Sequence, residues 1–262
     1  MENELNFQLS TFNFPLKKVE WKTLGEVAEI IRGVTYNKSL EVTEDGYKIL
    51  RANNITVEFS KLNFNDVKQI SKEAKVKSTQ RLSKNDILIS VASGSREHVG
   101  KVAFIDEDID YFFGGFMAVI RTYEYVNARY MFHILRSQYF VQFVETTFAS
   151  ATINNLSNST LREFKFPIPP LAVQKEIVRI LDTFTELTAE LTAELTARKK
   201  QYHYYRESLL DFSTTKNTEN TKTVEWKTLG EVAAYAKERI SSDKLNTENY
   251  IGVDNLLQNR EG

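Results

Sequence analysis

The feature that most constrains the fold is a long stretch without proline or glycine, from Leu171 to Phe212. As an α-helix these 42 residues would span about 63 Å, at about 1.5 Å per residue. Three of the four prolines lie just before it, in the sequence FPIPP at 166–170. Because proline interrupts helices and central strands, this cluster marks the exit from a domain. The sequence therefore predicts a globular domain followed by a long helix.

Apolar side chains recur along the predicted helix at the three- and four-residue spacing of a coiled coil. The candidates for helix pairing are Ile177, Ile180, Phe184, Leu187, Leu191, Leu195, Tyr202, Tyr205 and Leu209. The preceding domain is too short to cover so long an apolar stripe, so we expect a partner helix to pack against it.

A tetrapeptide repeat, ELTAELTAELTA, occupies residues 186–197 within this stretch. Each TAEL unit adds about 6 Å and turns the helix by about 400°, so the apolar face is nearly kept. Units can therefore be gained or lost without destroying the helix, which predicts an adjustable spacer. A low-complexity helix exposed to solvent is the alternative.

An internal repeat links the two ends of the chain. The ten residues VEWKTLGEVA occur at 19–28 and again, unchanged, at 224–233, and each copy contains one of the two tryptophans. The sequences diverge immediately afterwards. We expect 224–262 to be the truncated start of a second copy of the first domain.

Residues 19–166 have the pattern of a mixed domain, and the fold class predicted is α/β (α+β). Apolar, β-rich runs predict strands at 47–50, 86–92, 99–105 and 116–122, and helical spacing predicts a helix over 127–148 with Asn127 as its N-cap. The predicted organisation is an N-terminal extension (1–18), a recognition domain (19–166), the proline exit and spacer helix (167–212), a polar linker (213–223) and the truncated copy (224–262).

Composition excludes several classes of function. The net charge of −1 gives no sign of a nucleic-acid or membrane surface at the level of the whole chain. There is no cysteine, and the three histidines lack ligand spacing, so we expect no metal site. No apolar run is long enough to span a membrane, and the polar N-terminus does not resemble a signal peptide. A cytoplasmic protein is expected.

Catalytic motifs are also missing. Residues 94–101 resemble a phosphate-binding loop, but five residues separate the glycines and Val102 replaces the magnesium-binding hydroxyl. Asp106, Asp108 and Asp110 alternate as in a calcium loop without its glycine and final glutamate. We predict no catalytic residues and no cofactor in this chain.

Three segments together resemble the DNA-specificity subunits of Type I restriction–modification systems. They are the paired VEWKTLGEV sequences, the stretch ILISVASGSREHVGKVAFI (87–105) and the stretch NLSNSTLREFKFPIPPLAVQKEIVRILD (155–182), with the TAEL units in the following helix. The resemblance covers nearly the whole chain.

The resemblance implies a non-catalytic adaptor. Subunits of this family carry two target-recognition domains, each reading half of a bipartite DNA site, held apart by two antiparallel helices. Modification subunits dock on this frame and methylate adenine with S-adenosylmethionine, and restriction subunits can join them. Tetrapeptide repeats in the spacer set the gap between half-sites.

This chain departs from the family pattern, because it has one complete domain and one spacer helix. The resemblance therefore implies a half-size form that pairs through its helix into a homodimer on double-stranded DNA. A scaffold that binds protein rather than DNA remains the alternative function.

Candidate DNA contacts lie in two polar segments. Residues 71–101 contain seven cations and three acids, and such an excess suits phosphate contacts. Short polar side chains in predicted loops suit base edges. The candidates are Arg51, Asn53, Asn54, Lys72, Lys75, Lys77, Arg81, Ser93, Ser95, Arg96 and Lys101. The alternatives are a solvated helix face over 71–84 and ordinary turn chemistry at the asparagines and serines.

Overall fold

A computed structural model describes residues 19–56, 60–149, 155–212 and 225–235. The chain divides into two compact units, Met1–Thr196 and Ala197–Gly262. The predicted extension 1–18, the predicted linker 213–223 and most of the second copy lie outside the described residues. No helix in the described ranges is both long and apolar enough to cross a membrane.

Ten strands are described in the first unit, in three sheets. They are β1 (Glu20–Thr23), β2 (Ala28–Arg32), β3 (Glu41–Val42), β4 (Tyr47–Leu50), β5 (Lys68–Ile70), β6 (Ile87–Ser90), β7 (Val102–Phe104), β8 (Phe112–Phe113), β9 (Met117–Thr122) and β10 (Lys165–Ile168). The central sheet has the order β2-β9-β6-β7, the second sheet has the order β3-β5-β4-β8, and β1 pairs with β10. All four predicted strand regions contain strands, and Tyr47–Leu50 matches residue for residue.

The α-helices are α1 (Leu24–Val27), α2 (Ala128–Leu135), α3 (Gln138–Ala149), α4 (Asn158–Arg162), α5 (Leu171–Leu210) and α6 (Leu229–Val232). The side chain of Asn127 accepts from Tyr130 N, so its predicted role as an N-cap is confirmed. The predicted single helix 127–148 is wrong, because the chain breaks between α2 and α3. Ser137 Oγ donates to Ile134 O at 2.6 Å at this break, where serine competes for a backbone carbonyl.

The central sheet is buried on both faces. Alternate residues of β6 face opposite sides: Ile87 and Ile89 pack among the helices, whereas Leu88 packs with Phe113 and Leu50 of the second sheet. Burial on both faces explains why β6 has a continuous apolar sequence, which is the pattern expected for a sandwiched strand.

The proline cluster has two structural roles. Pro167 lies in β10, opposite Trp21 of β1, at the sheet edge where a missing N–H is tolerated. Pro169 and Pro170 then precede α5, which begins at Leu171 as predicted and ends at Leu210. The long helix is therefore confirmed.

The alternative of a helix face over 71–84 is wrong. This segment consists of turns and one short 3-10 helix, Ser78–Gln80, before β6.

Both copies of the repeat form the same capped helical turn, whereas the strands that flank it in the first copy are absent from the described residues 225–235 of the second. Thr23 N and Oγ1 donate to Glu26 Oε2, and Thr228 N and Oγ1 donate to Glu231 Oε2 in the same way. These capping boxes begin α1 and α6.

Candidate nucleic-acid interface

The first candidate loop follows β4 and contains Arg51, Asn53 and Asn54. The Arg51 guanidinium lies 2.8 Å from Asp66 Oδ2, and Asn53 Nδ2 donates to the same oxygen at 2.9 Å. Asn54 is fully buried, where its side chain accepts from Arg51 N and donates to Asn63 O and Asp66 O. Asn54 therefore has the turn-forming role kept as the alternative, while Arg51 and Asn53 are at the surface.

The second candidate loop, 91–96, follows β6. Val91 N and Ala92 N both donate to Phe116 O, and Ala92 forms a bridge with Asn155. Ser93 Oγ accepts from Ser95 N at 3.2 Å. The Arg96 side chain is exposed and its guanidinium lies 5.5 Å from the centre of the Phe148 ring on α3.

Arg32, at the end of β2, connects Gln80 with residues 155–156 and was missed by the sequence analysis. Its guanidinium donates to Leu156 O at 3.1 Å and Asn155 Oδ1 at 3.4 Å. Its carbonyl accepts from Gln80 Nε2 at 3.0 Å. Partial burial lowers the pKa of Arg32 from its ordinary value. Arg32 lies outside the predicted strands and candidate loops, and a single arginine carries no sequence signal for this role.

The basic segment 71–101 is only partly joined to this surface. Lys77 N donates to Gln80 Oε1, so Lys77 lies next to the Arg32 contact. Arg81 is exposed and pairs with Asp110 at 3.2 Å. Lys72 and Lys75 are exposed on the preceding turns, and Lys101 is half-buried beside β7.

Among the candidates, Arg51 and the loop 92–96 thus adjoin the Gly114–Phe116 turn, near the ends of β2, β6 and β9, whereas Lys72, Lys75 and Arg81 lie on other turns. We call the surface formed by Arg32, Arg51, Gln80, 92–96 and Phe116 the loop surface. Arginine and small polar groups at one end of a sheet can contact phosphates and base edges.

The spacer helix α5 is anchored to the same domain. The Gln174 side chain is 1% exposed, accepts from Asn127 N at 2.8 Å and donates to Pro169 O at 2.8 Å. Asp182 accepts from Arg129 Nε at 3.0 Å and from His133 Nε2 at 2.8 Å. Burial lowers the pKa of His133 and outweighs the opposite effect of Asp182.

The predicted helix-pairing residues divide into two groups. Ile177 packs partly against the core of its own domain and Ile180 is half-buried. The other seven are exposed apolar side chains: Phe184, Leu187, Leu191, Leu195, Tyr202, Tyr205 and Leu209. Ile177 therefore serves the attachment of the helix to its domain.

A family model described as the Type I restriction modification DNA specificity domain matches residues 17–198. The chain is 35% identical over 168 residues to the StySPI specificity subunit of Salmonella potsdam, covering 62% of this chain and 36% of that protein. It is 34% identical over 160 residues to the EcoKI specificity subunit of Escherichia coli, covering 60% and 34%. The chain thus spans about a third of the length of these relatives.

Two solved structures share the fold. One, from work on complex assembly and conformational transition of the type I R-M system, has a TM-score of 0.57 at 20% identity, covering 80% of this chain and 51% of that chain. The other, the HsdS subunit from Thermoanaerobacter tengcongensis, has a TM-score of 0.51 at 21% identity, covering 74% and 45%. The predicted mixed α/β fold with a long helix is confirmed.

The family model and the relatives are described as a specificity domain and specificity subunits, in agreement with the prediction of a non-catalytic chain. Because the family model covers well over half of the sequence, this chain belongs to the Type I restriction–modification DNA specificity family.

Proposed function

We propose that this chain is a sequence-specific DNA-recognition subunit of a Type I restriction–modification complex. Its domain 19–166 reads one half-site of double-stranded DNA through the loop surface. The chain itself performs no catalysis. Modification subunits that dock on it bind S-adenosylmethionine and methylate adenine in the cytoplasm, and restriction subunits join the same complex.

The observation that carries this proposal is the convergence of candidate loops on one surface in a member of a DNA specificity family. Arg32 bridges 77–81 and 155–156 through Gln80 and Leu156, and Arg51 lies close to the Gly114 turn, its Cγ 3.8 Å from a Cβ built at Gly114. Such a surface combines phosphate-binding cations with groups that reach base edges.

The exposed stripe of α5 supports the second part of the proposal, a homodimer through the spacer helix. Leu187, Leu191 and Leu195 are 48%, 65% and 56% exposed. A second copy of the chain offers the same stripe, and antiparallel pairing carries one domain at each end. Two linked half-sites multiply specificity, because each base contact alone discriminates by only about 1–3 kcal/mol.

The test is methylation by the full chain together with its modification subunit. We expect neither protein alone to methylate DNA and the mixture to methylate a bipartite site with two-fold symmetry. Inserting one TAEL unit into 186–197 should lengthen the gap between half-sites in methylome sequencing. The matched control is a TAEL unit inserted into 213–223, outside α5. An unchanged gap would exclude the spacer role.

A protein-interaction scaffold is the alternative. It predicts a complex with the modification subunit that has no salt-dependent affinity for duplex DNA. An electrophoretic titration of the complex at several salt concentrations separates the two proposals, because phosphate contacts give a steep salt dependence.

A further inference from the structure

Phe116 is a large apolar side chain displayed in the middle of the loop surface. It is 73% exposed, whereas the next residues of β9, Met117, Ala118 and Val119, are fully buried. Single exposed apolar residues are common, so exposure alone decides nothing. What distinguishes Phe116 is the backbone that holds it and the charge around it.

The turn that carries Phe116 is fixed on several sides. Phe116 O accepts from Val91 N at 3.0 Å and from Ala92 N at 3.2 Å, and Met117 N donates to Gly114 O at 2.8 Å. These bonds attach the turn to the end of β6. The aromatic ring is therefore presented from a rigid backbone rather than from a free loop.

Two glycines, Gly33 and Gly115, let neighbouring segments of the same chain approach this turn closely. A Cβ at Gly33 would lie 2.1 Å from Gly114 O, and a Cβ at Gly115 would lie 2.8 Å from Thr35 Oγ1. A larger residue at Gly33 would collide with the backbone of the turn, and one at Gly115 would displace the Thr35 side chain. Gly33 and Gly115 thus help to place Phe116.

The segments next to the Phe116 turn carry arginine and serine side chains, and one of the arginines, Arg51, is paired with Asp66. Arg32 lies opposite Ala118 in the β2–β9 ladder. Arg51 is close to Gly114, since a Cβ at Gly114 would lie 3.8 Å from Arg51 Cγ. The loop 92–96 begins at Ala92, whose N–H donates to Phe116 O. An exposed aromatic ring beside segments that carry arginines and serines suits a ligand that combines a negative backbone with flat apolar faces, as nucleic acid does.

We propose that Phe116 is a wedge that inserts between stacked base pairs of the DNA half-site. Phenylalanine wedges enter from the minor groove, unstack one base step and bend the duplex. Unstacking depends on the base step, so Phe116 contributes to specificity without a hydrogen bond to a base. This inference rests on the proposed DNA recognition and adds a residue and a mechanism to it.

The experiment uses the full chain in complex with its modification subunit, on duplexes carrying 2-aminopurine at successive positions of the half-site found by methylome sequencing. Wild type should increase 2-aminopurine fluorescence at one base step, away from the methylated adenine, since unstacking relieves quenching. Flipping of the target adenine by the modification subunit gives a separate increase that does not depend on Phe116. Phe116→Ala should abolish the increase from unstacking and weaken binding about tenfold. Phe116→Leu, which keeps an apolar wedge, should retain part of it.

Tyr139→Ala is the matched control. Tyr139 is a 55% exposed aromatic residue that contacts Trp21 on β1, beyond the opposite end of β2, and its removal should change neither signal. A Phe116→Ala complex with wild-type fluorescence and affinity would overturn the wedge. Failure of the wild-type complex to bind or methylate DNA would instead overturn the proposed function.

Discussion

Helix α5 contains two stretches with the same apolar spacing and opposite surroundings. In 171–182, Gln174 is buried, Ile177 and Val178 pack partly on the core, and Asp182 binds two side chains of α2. In 184–195, Phe184, Leu187, Leu191 and Leu195 are between 48% and 65% exposed. One stretch is attached to its own domain, and the apolar side chains of the other are exposed.

Because the apolar spacing is similar in both stretches, the polar contacts of Gln174 and Asp182, together with the packing of Ile177, distinguish the attached one. Gln174 and Asp182 are eight residues apart, about 12 Å along one helix face. Each bonds to α2 or its N-cap. Two separated polar contacts set the direction in which the spacer leaves the domain, because hydrogen bonds are directional.

Among substitutions in the attached stretch, the largest loss of stability is expected at Gln174. Gln174→Ala removes two hydrogen bonds and leaves the Asn127 N–H and the Pro169 carbonyl without their partner. We expect the free energy of unfolding to fall by about 2–4 kcal/mol. Urea denaturation measures it, with the exposed Gln201→Ala as the control that should change little. Equal stability of the two variants would mean that Gln174 does not attach the helix.

A smaller loss is expected at Asp182. Asp182→Ala removes the acceptor of Arg129 and His133, all three being partly or largely buried. We expect a loss of about 1–2 kcal/mol, because Arg129 and Asp182 are partly exposed and solvent screens their interaction. Glu190→Ala, at an exposed position of the same helix, is the control. Because the chain has no cysteine, spin labels at introduced cysteines on 171–195 and on β4 can report whether the helix also changes direction.

The stability of the domain should depend on pH through His133 of α2, which contacts Asp182 in the attached stretch of α5. Its pKa is below the ordinary 6.5 because burial disfavours the charged ring, and Arg129 and Arg136 act in the same direction while Asp182 opposes them. The unfolded state therefore binds more protons between these two pKa values. Stability should fall as pH drops below about 6.5 and level off below the native pKa.

His133→Gln should remove this slope from a series of urea denaturations between pH 7 and pH 5. If the slope of stability against pH remained after the substitution, a titrating group other than His133 would be its cause.

How much of the fold could be predicted depended on how local the signal was. The N-cap at Asn127, the start of α5 at Leu171 and the strand Tyr47–Leu50 are encoded by neighbouring residues, and all three are confirmed. The break at Ser137 was not predicted, because the apolar period continues through it. A single hydroxyl bond to Ile134 O accompanies the break.

The candidate surface was less predictable, because it is assembled by long-range pairing. Arg32 and Asn155 are 123 residues apart in sequence, and nothing local relates them. Asn54 is of a residue type that commonly contacts bases, but it is fully buried within its own loop. Phe116 was assigned only to a strand, since its exposure depends on how Val91 and Ala92 hold the turn.

The smallest effect on monomer stability is expected at Leu191, in the exposed stretch. Leu191→Ala removes little buried surface from the monomer, because the side chain is 65% exposed, and alanine favours a helix at least as well. The free energy of unfolding at high dilution should change by less than about 0.5 kcal/mol. Self-association, measured by sedimentation equilibrium, should weaken by about tenfold, because a coiled-coil seam loses an apolar residue. Ile177→Ala should show the reverse pattern, with a loss of stability and little change in association. A Leu191→Ala chain that unfolds as easily as the Ile177 variant and associates normally would show that both stretches of α5 pack on the same domain.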